Sequence, residues 1–156
     1  MRVHMCAVGR LRGGPESDLV SDYVTRFDRT GRALGLGPLT VIEVDDRKGG
    51  GMAAEAALLR RSVPAGAVLC CLDERGKAEA SPAFAKRLSG WRDAGCRDVA
   101  FVIGGADGID PTLRADAGHL LSFGAMVWPH MLARVMLAEQ LYRAASILAG
   151  APYHRN

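Results

Sequence analysis

The sequence predicts an α/β domain in which helices flank a largely parallel sheet. Short, β-rich apolar runs alternate with helical patterns in the order β-α-β-α-β-α-β, which is typical of this fold class. The runs are apolar almost without interruption, as expected for strands that are covered on both faces. At 156 residues the chain fits one compact domain and is too short for two. We therefore expect residues 1–156 to form a single domain.

The predicted strands and helices follow in chain order. The strands occupy residues 3–8, 39–44, 67–72, 99–103 and, as the weakest candidate, 119–123. The first helix covers residues 16–30, where apolar side chains recur at helical spacing. The second covers 52–62 and stops before Pro64. Ser81 followed by Pro82 is expected to cap the start of a third helix, and Gly95 is expected to close it.

The last predicted helix, residues 131–149, is apolar over most of its circumference. Such a helix lies either in the centre of a large protein or at an interface. Because this domain is small, we expect an interface and therefore a homodimer. Glu139 and Arg143 are four residues apart in this helix, so we expect them to form an ion pair on one face.

Composition excludes some classes of protein and leaves others open. The net charge of +3 permits a polyanionic partner but does not identify one. The apolar runs are shorter than the ~20 residues of a membrane helix, and the first residues lack the apolar length of a signal peptide. The four cysteines show no CxxC spacing. We expect reduced core thiols in a cytoplasmic protein, with no disulfide scaffold and no metal site.

Three loops at strand ends are the candidate site, because ligands of open α/β sheets bind beyond the carboxyl ends of the strands. These loops are "LDERGK" at 72–77, "GGADGID" at 104–110 and "SFGAMVWPH" at 122–130. The Gly104-Gly105 pair is either a tight turn or a place where the backbone approaches a ligand. With the apolar third loop, it predicts a cleft suited to a purine and ribose.

Several common motifs are absent from the sequence. "GRLRGG" at 9–14 does not fit G-x-G-x-x-G, which argues against a Rossmann-type oxidoreductase. P-loop, HExxH and G-x-S-x-G motifs are also missing, so a hydrolase has no evident nucleophile. "RKGGG" at 47–51 is a basic loop that either faces solvent or contacts RNA phosphate.

Among the four histidines, the last stands out. His4 lies in a predicted strand, and His119 and His130 lie at the ends of predicted elements, where structural roles are common. His154 instead follows Tyr153 and precedes Arg155, directly after the last helix. Three such side chains in a row indicate either a solvated tail or part of a site.

Two stretches of the sequence resemble a known family. "FVIGGADG" at 101–108 and "WPHMLARVMLAEQLYRAASILAGAPYHRN" at 128–156 are similar to the ribosomal RNA large-subunit methyltransferase H family. These SPOUT-class enzymes methylate N3 of a pseudouridine in 23S rRNA. The resemblance implies a homodimer with a C-terminal trefoil knot, acting on the large subunit or the 70S ribosome without a metal. Two departures are the GG-A-D-G turn and the segment before Pro129.

The resemblance also implies which residues bind S-adenosyl-L-methionine and which act on the base. The implied cofactor-binding residues are Leu72, Gly104, Gly105, Phe123, Gly124, Ala125, Met126, Val127 and Trp128. The implied catalytic group is Tyr153, His154 and Arg155. Within it we expect His154, or a water that it holds, to accept the N3 proton, Arg155 to bind phosphate or a carbonyl oxygen, and Tyr153 to contact the base.

Two alternatives keep the same fold. One is an RNA- or ribosome-binding protein whose cofactor pocket has lost catalysis. The other is a SPOUT methyltransferase that acts on a different RNA base, which the "YHR" signature argues against. Binding of S-adenosylmethionine separates the first alternative from the enzyme, and mapping of the modified nucleotide separates the second.

Overall fold

The computed structural model describes residues 1–45 and 49–154 and places one five-stranded sheet among them. Its strands are β1 (Arg2–Val8), β2 (Leu39–Val44), β3 (Val68–Ala78), β4 (Asp98–Ile103) and β5 (His119–Ser122). They lie in the order β2-β1-β4-β3-β5, and each neighbouring pair is parallel. The predicted parallel α/β sheet is confirmed.

Helices connect the strands on both faces of the sheet. They are α1 (Pro15–Gly31), α2 (Gly51–Ser62), α3 (Ser81–Asp93), α4 (Pro111–Ala115) and α5 (His130–Leu148). The sequence did not predict α4, which has only five residues and so no apolar periodicity. Local capping makes this helix: the Asp110 carboxylate accepts the Thr112 N–H at 2.8 Å, and Pro111 occupies the first turn.

The start of α3 differs from the prediction. Ser81 does not cap the helix but is its first residue, and Ala80 occupies the cap position without a side-chain bond. The Ser81 hydroxyl instead donates to Oε1 of Gln140 at 2.8 Å and so joins α3 to α5. The end of α3 agrees with the prediction that Gly95 closes it. Gly95 follows the last turn with φ of 82° and donates its N–H to the Arg92 carbonyl.

The third strand is longer than its apolar run and pairs with β5 twice. Leu72 pairs with Leu121, and Lys77 pairs with Leu121 again after residues 73–76 have left the ladder. At Gly76, a Cβ atom would lie 2.7 Å from the Leu120 carbonyl carbon, so only glycine fits where this loop crosses β5. The trefoil knot stays a prediction of the sequence.

The sheet has a core on each face. One joins β1, β3 and β4 to α1, α3 and α5, and the other joins them to α2 and α4. Leu137, Leu141 and Ala144 of α5 are fully buried in the first core. The apolar circumference of α5 is thus largely explained by packing within one chain, which removes the sequence argument that it forms an interface. The homodimer stays a prediction.

The structure bears on two expectations from composition, namely reduced core thiols and helices too short or too polar to span a membrane. All four cysteines are free thiols, and Cys6, Cys70 and Cys71 are buried. Burial raises the pKa of Cys70 and that of Cys71, the latter to about 12. In the described ranges, each helix is too short or too polar to cross a membrane.

Candidate active site

A cleft of about 510 Å³ lies at the carboxyl ends of β3, β4 and β5. Its walls are the loops that leave these strands, together with the first turn of α5. It contains every residue predicted to bind the cofactor except Ala125. These residues are Leu72, Gly104, Gly105, Phe123, Gly124, Met126, Val127 and Trp128. The three loops named from the sequence therefore meet in one place.

The glycine turn after β4 forms the floor of the cleft. Gly108 donates its N–H to the Gly105 carbonyl at 3.1 Å and has φ of 86°, which makes the turn tight. A Cβ atom at Gly104 would collide with the Gly108 carbonyl, and one at Gly105 would lie 2.9 Å from the Glu55 carboxylate. The glycine pair is thus part of a tight turn, which also presents backbone without side chains to the cleft.

Asp73 holds the loop after β3 in shape. Its side chain is only 6% exposed, and its carboxylate accepts the Arg75 N–H at 2.9 Å and Nη1 of Arg114 at 3.2 Å. These bonds fix residues 73–76 and tie them to α4. Asp73 and Glu74 both line the cleft, so two acidic residues border its apolar walls. The sequence analysis did not single out Asp73.

Ser122 joins two walls of the cleft. Its buried hydroxyl lies 3.3 Å from the Glu74 carbonyl and 3.2 Å from the Gly124 carbonyl, and it accepts the Gly124 N–H at 3.1 Å. One side chain at the end of β5 therefore fixes the loop after β3 relative to the loop after β5. No sequence motif marks this role.

The outer wall of the cleft is apolar and exposed. We call residues Met126, Val127, Trp128, Met131 and Leu132 the apolar lip; Met126 is 72% exposed and Val127 is 84% exposed. The lip runs from the loop after β5 into the first turn of α5. Exposed apolar surface that is continuous with a cleft is typical of a binding or association surface.

An ion pair between a buried arginine and a partly buried glutamate lies near the start of α5. Arg134 is completely buried, and its guanidinium donates to the Val8 carbonyl and to Oε1 of Glu43, the latter at 3.1 Å. The same Glu43 oxygen accepts the Leu11 N–H at 2.8 Å. Arg134 directly follows Ala133, which lines the cleft. The pair therefore joins the ends of β1 and β2 to the cleft wall.

The chain after α5 folds back onto that helix. The Tyr153 hydroxyl donates to Oε1 of Glu139 at 3.0 Å, and its ring packs against Tyr142 at a centroid distance of 4.5 Å. The Arg143 guanidinium lies over the Tyr153 ring at 4.8 Å and donates to Glu139 at 2.5 and 2.9 Å. The predicted ion pair between Glu139 and Arg143 is confirmed. Burial, followed by bonds to Tyr23 and Glu139, raises the pKa of Tyr153.

His154 follows Tyr153 and is half buried. Its Nδ1 atom lies 3.4 Å from Nη1 of Arg143. A guanidinium only donates, so this contact assigns Nδ1 as an acceptor and leaves the proton of a neutral imidazole on Nε2. Arg155, the third predicted catalytic residue, lies outside the described residues.

Within one chain, the tail and the cleft lie at different levels of α5. Ala133 is the last residue of α5 that lines the cleft, whereas Tyr153 contacts Glu139, about 9 Å further along the helix at 1.5 Å per residue. The structure therefore does not bring Tyr153 and His154 together with the predicted cofactor residues of the same chain. It groups them with Glu139, Tyr142 and Arg143 instead.

The remaining histidines lie elsewhere, apart from His130 in the cleft wall. His4 contacts Asp98 at 2.7 Å at the amino ends of β1 and β4, on the opposite edge of the sheet. His119 is partly buried at the start of β5 beside Trp91, with a ring distance of 6.0 Å. Within residues 1–45 and 49–154, no group of three or more metal-binding side chains occurs.

The comparison with known families agrees with this architecture. A family model described as "Predicted SPOUT methyltransferase" matches residues 1–154. The chain belongs to the SPOUT methyltransferase family. The resemblance found in the sequence is thereby confirmed.

Curated relatives match this SPOUT methyltransferase over its whole length. It is 73% identical over 155 residues to the ribosomal RNA large subunit methyltransferase H of Dinoroseobacter shibae, covering 99% of each chain. It is 72% identical over 156 residues to the protein of that name from Roseobacter denitrificans, covering 100% of each. A crystal structure of a probable methyltransferase from Bordetella pertussis has a TM-score of 0.51 at 15% identity, covering 92% of this chain and 96% of that one. This last likeness shows a shared fold.

Proposed function

We propose that this SPOUT methyltransferase transfers a methyl group from S-adenosyl-L-methionine to N3 of a pseudouridine in 23S rRNA. The substrate would be the large ribosomal subunit or the assembled ribosome. The observation that carries the proposal is the cleft, in which a bare glycine turn, apolar walls and two acidic residues meet at the carboxyl ends of three strands. The full-length relatives named ribosomal RNA large subunit methyltransferase H support the choice of RNA.

The cleft fits the proposed cofactor. Leu72, Phe123 and Trp128 supply apolar surface for a purine, and the glycine turn supplies backbone groups without a Cβ in the way. Because the Asp73 carboxylate is already paired with Arg114, Glu74 is the acidic residue whose negative charge suits a sulfonium and an amino group. When bound, this cofactor supplies an activated methyl group, so the chemistry needs no metal.

The acceptor nitrogen sets the task of the protein. N3 of pseudouridine carries a proton and must lose it before it can attack a methyl group. The enzyme therefore has to position the base, favour its anionic form and accept a proton. We propose that His154, Arg155 and Tyr153 supply these functions to a base held at the mouth of the cleft.

The contact between His154 and Arg143 restricts how the imidazole can act. While Nδ1 accepts from Arg143, His154 offers only its Nε2 proton, which suits a bond to a uracil oxygen. To accept the N3 proton, His154 has to release Arg143 or act through a water. Either way, the neighbouring Arg143 cation stabilises negative charge on the base.

We further propose that the tail of one chain serves the cleft of a second chain in a homodimer. The distance along α5 between Ala133 and Glu139 supports this arrangement, because Tyr153 and His154 of one chain do not line its own cleft. The exposed apolar lip beside the cleft supplies surface for the second copy. We place the enzyme in the cytoplasm with its ribosomal substrate, and we propose that residues 1–156 act as one domain.

The test is methyl transfer itself. Ribosomes from a strain that lacks this enzyme are incubated with the protein and radiolabelled S-adenosylmethionine, and the modified nucleotide in 23S rRNA is located by mass spectrometry. We expect label on N3 of one pseudouridine. Saturable binding of S-adenosylmethionine without transfer to any RNA would contradict the proposal, as would label on transfer RNA alone.

A matched pair of variants tests the tail. We expect His154→Ala to lower the transfer rate at least tenfold with unchanged cofactor affinity, because the imidazole contacts the base and not the cofactor. His119→Ala serves as the control, since that histidine lies at the amino end of β5, away from the cleft. Equal transfer rates for the two variants would show that the tail has no role.

A further inference from the structure

The loop between β1 and α1 carries two exposed arginines. Arg10 and Arg12, in the segment "GRLRGG" at 9–14, are both exposed. In the part of the chain that the structure describes, neither guanidinium has an ion pair or a hydrogen bond. The nearby carboxylates of Glu16 and Asp18, in the first turn of α1, do not pair with them. Two unpaired cations on a short loop form a small basic surface.

This loop lies at the same edge of the sheet as the cleft. Strand β1 runs parallel to β4, and Ala7 pairs with Ile103, which lines the cleft. Arg10 comes three residues after Ala7, so it leaves the sheet at the level where the glycine turn begins. A base held in the cleft would have its flanking phosphates within reach of an arginine side chain at this position.

The base of the loop is fixed in place. Glu43 accepts the N–H of Leu11, the residue between the two arginines, at 2.8 Å. Glu43 is itself held by the buried Arg134, which also binds the Val8 carbonyl where the loop begins. The backbone between Arg10 and Arg12 is thus anchored to the same turn of α5 that forms the cleft wall. An anchored loop loses less conformational entropy when its side chains bind.

We propose that Arg10 and Arg12 bind phosphates of the rRNA strand on either side of the target nucleotide. Guanidinium groups without a carboxylate partner suit phosphate oxygens, which they bind in a bidentate way. Such contacts position RNA without reading its sequence. Because the net charge of the chain is only +3, two cations on one loop make up a large share of its attraction for RNA. The inference rests on the proposed function, since it names the RNA contact of the same site.

The test compares the double variant Arg10→Ala/Arg12→Ala with Arg97→Ala. Arg97 is an exposed arginine directly before β4, at the opposite edge of the sheet. KM for ribosomes is measured at several monovalent salt concentrations and a constant magnesium concentration. For the double variant we expect KM to rise about tenfold near 0.1 M salt and the slope of log KM against log salt to fall by about 1–2. Arg97→Ala should match the wild type.

Two further measurements make the result specific. The double variant should bind S-adenosylmethionine with wild-type affinity, which excludes a distorted cleft. Arg10→Lys/Arg12→Lys should recover most of the lost affinity, because the charges remain.

An unchanged KM and salt slope in the double variant overturns the inference. A raised KM with an unchanged salt slope also overturns it, since the loop would then contact protein and not phosphate. If the wild type itself transfers no methyl group to ribosomes, the proposed function fails. The loop is then tested separately by filter binding of the same variants to 23S rRNA, where an unchanged salt slope again rejects it.

Discussion

His119 is a largely buried imidazole whose surroundings oppose its charged form. Its side chain is 12% exposed, its ring meets the edge of Trp91, and Nε2 lies 3.9 Å from the Glu79 carboxylate. Burial, reinforced by the nearby Arg87 cation, lowers the pKa of His119 below its usual value, and Glu79 offsets this only in part. The folded protein therefore holds His119 neutral at neutral pH.

This arrangement predicts a pH-dependent stability. The pKa of His119 is lower in the folded protein than in the unfolded chain, where it is about 6.5. Neutral His119 therefore contributes its full stability above pH 6.5, and this contribution is lost as the pH falls through the folded pKa. We expect His119→Gln to lose less stability than the wild type between pH 7.5 and pH 5.5. Urea unfolding at both pH values measures this. An identical loss in the two proteins would contradict the role of His119.

The Glu43 and Arg134 pair predicts a large effect from one carboxylate. Glu43→Gln removes a carboxylate that accepts a hydrogen bond from the buried Arg134 guanidinium, which should lower the free energy of unfolding by about 2 kcal/mol. Asp22→Asn is the matched control, because Asp22 pairs with Arg26 on the exposed face of α1 at 2.9 Å. That change should cost less than about 0.5 kcal/mol. Urea unfolding of both variants makes the comparison, and equal losses would contradict it.

At this scale the sequence predicted residue types better than residue contacts. It placed Glu139 and Arg143 in an ion pair because a helix fixes which side chains are neighbours four positions apart. It did not indicate Asp73 or Ser122, whose partners lie across loops with no fixed spacing. Their importance depends on hydrogen bonds that form only when separate strands come together.

The turn after β4 is the element that shapes the cleft, and its two glycines should respond differently to substitution. In Gly104→Ala the new methyl group meets the Gly108 backbone, which cannot move without opening the turn. In Gly105→Ala it meets the end of the flexible Glu55 side chain. We expect losses of about 2–3 kcal/mol and less than about 1 kcal/mol, respectively, in thermal unfolding. A larger loss for Gly105→Ala than for Gly104→Ala would contradict this assignment of the two glycines.

The bond between two cleft loops predicts a loss of cofactor affinity without a loss of fold. Ser122→Ala removes the hydroxyl that lies between the Glu74 and Gly124 carbonyls. We expect about a fivefold higher Kd for S-adenosylmethionine in calorimetric titration, equivalent to one lost hydrogen bond of about 1 kcal/mol. Ser89→Ala, on the exposed side of α3, is the control and should keep the wild-type Kd. An unchanged Kd in Ser122→Ala would separate Ser122 from cofactor binding.

Elements were predicted well where burial alone decides them. The bounds of β2 match the sequence prediction, those of β1 and β4 differ by one residue at one end, and those of α5 differ by one residue at each end. Buried parallel strands and packed helices have continuous apolar patterns, which makes such bounds readable from sequence. The second half of β3 was missed, because its polar residues join the sheet only through pairing with β5. The rule that ligands bind beyond the carboxyl ends of parallel strands predicted which loops line the cleft. The position of Tyr153 and His154 depends on contacts that no sequence rule fixes in advance.

At the scale of the whole molecule, the proposed dimer predicts complementation between two inactive chains. A chain carrying His154→Ala keeps its cleft, and a chain carrying Gly105→Val keeps its tail. If each tail serves the other cleft, a mixed dimer has one complete site and should recover about half of the wild-type rate per dimer. Mixed dimers are isolated with two affinity tags and assayed on ribosomes. No recovery, with each parent dimer shown to be folded, would contradict the exchange of tails.

The apolar lip predicts how the dimer dissociates. Met131→Glu places a charge in exposed apolar surface and should leave the folded chain intact, since Met131 is already 40% exposed. We expect sedimentation velocity to show a shift from dimer to monomer, with loss of methyl transfer. Leu19→Glu is the control, because Leu19 is 44% exposed on α1, outside the lip. A monomeric wild type, or a fully active monomeric variant, would contradict this account.

The packing of α1 on α5 has a consequence for how the protein is made. Tyr23 and Tyr142 stack at 6.2 Å, so the first helix is covered by a helix that is synthesised more than a hundred residues later. Throughout most of translation the side of α1 that packs on α5 therefore lacks this partner. Such a nascent chain exposes apolar surface to which chaperones and other unfinished chains can bind. The core that contains α1 and α5 can form completely only when synthesis is nearly over.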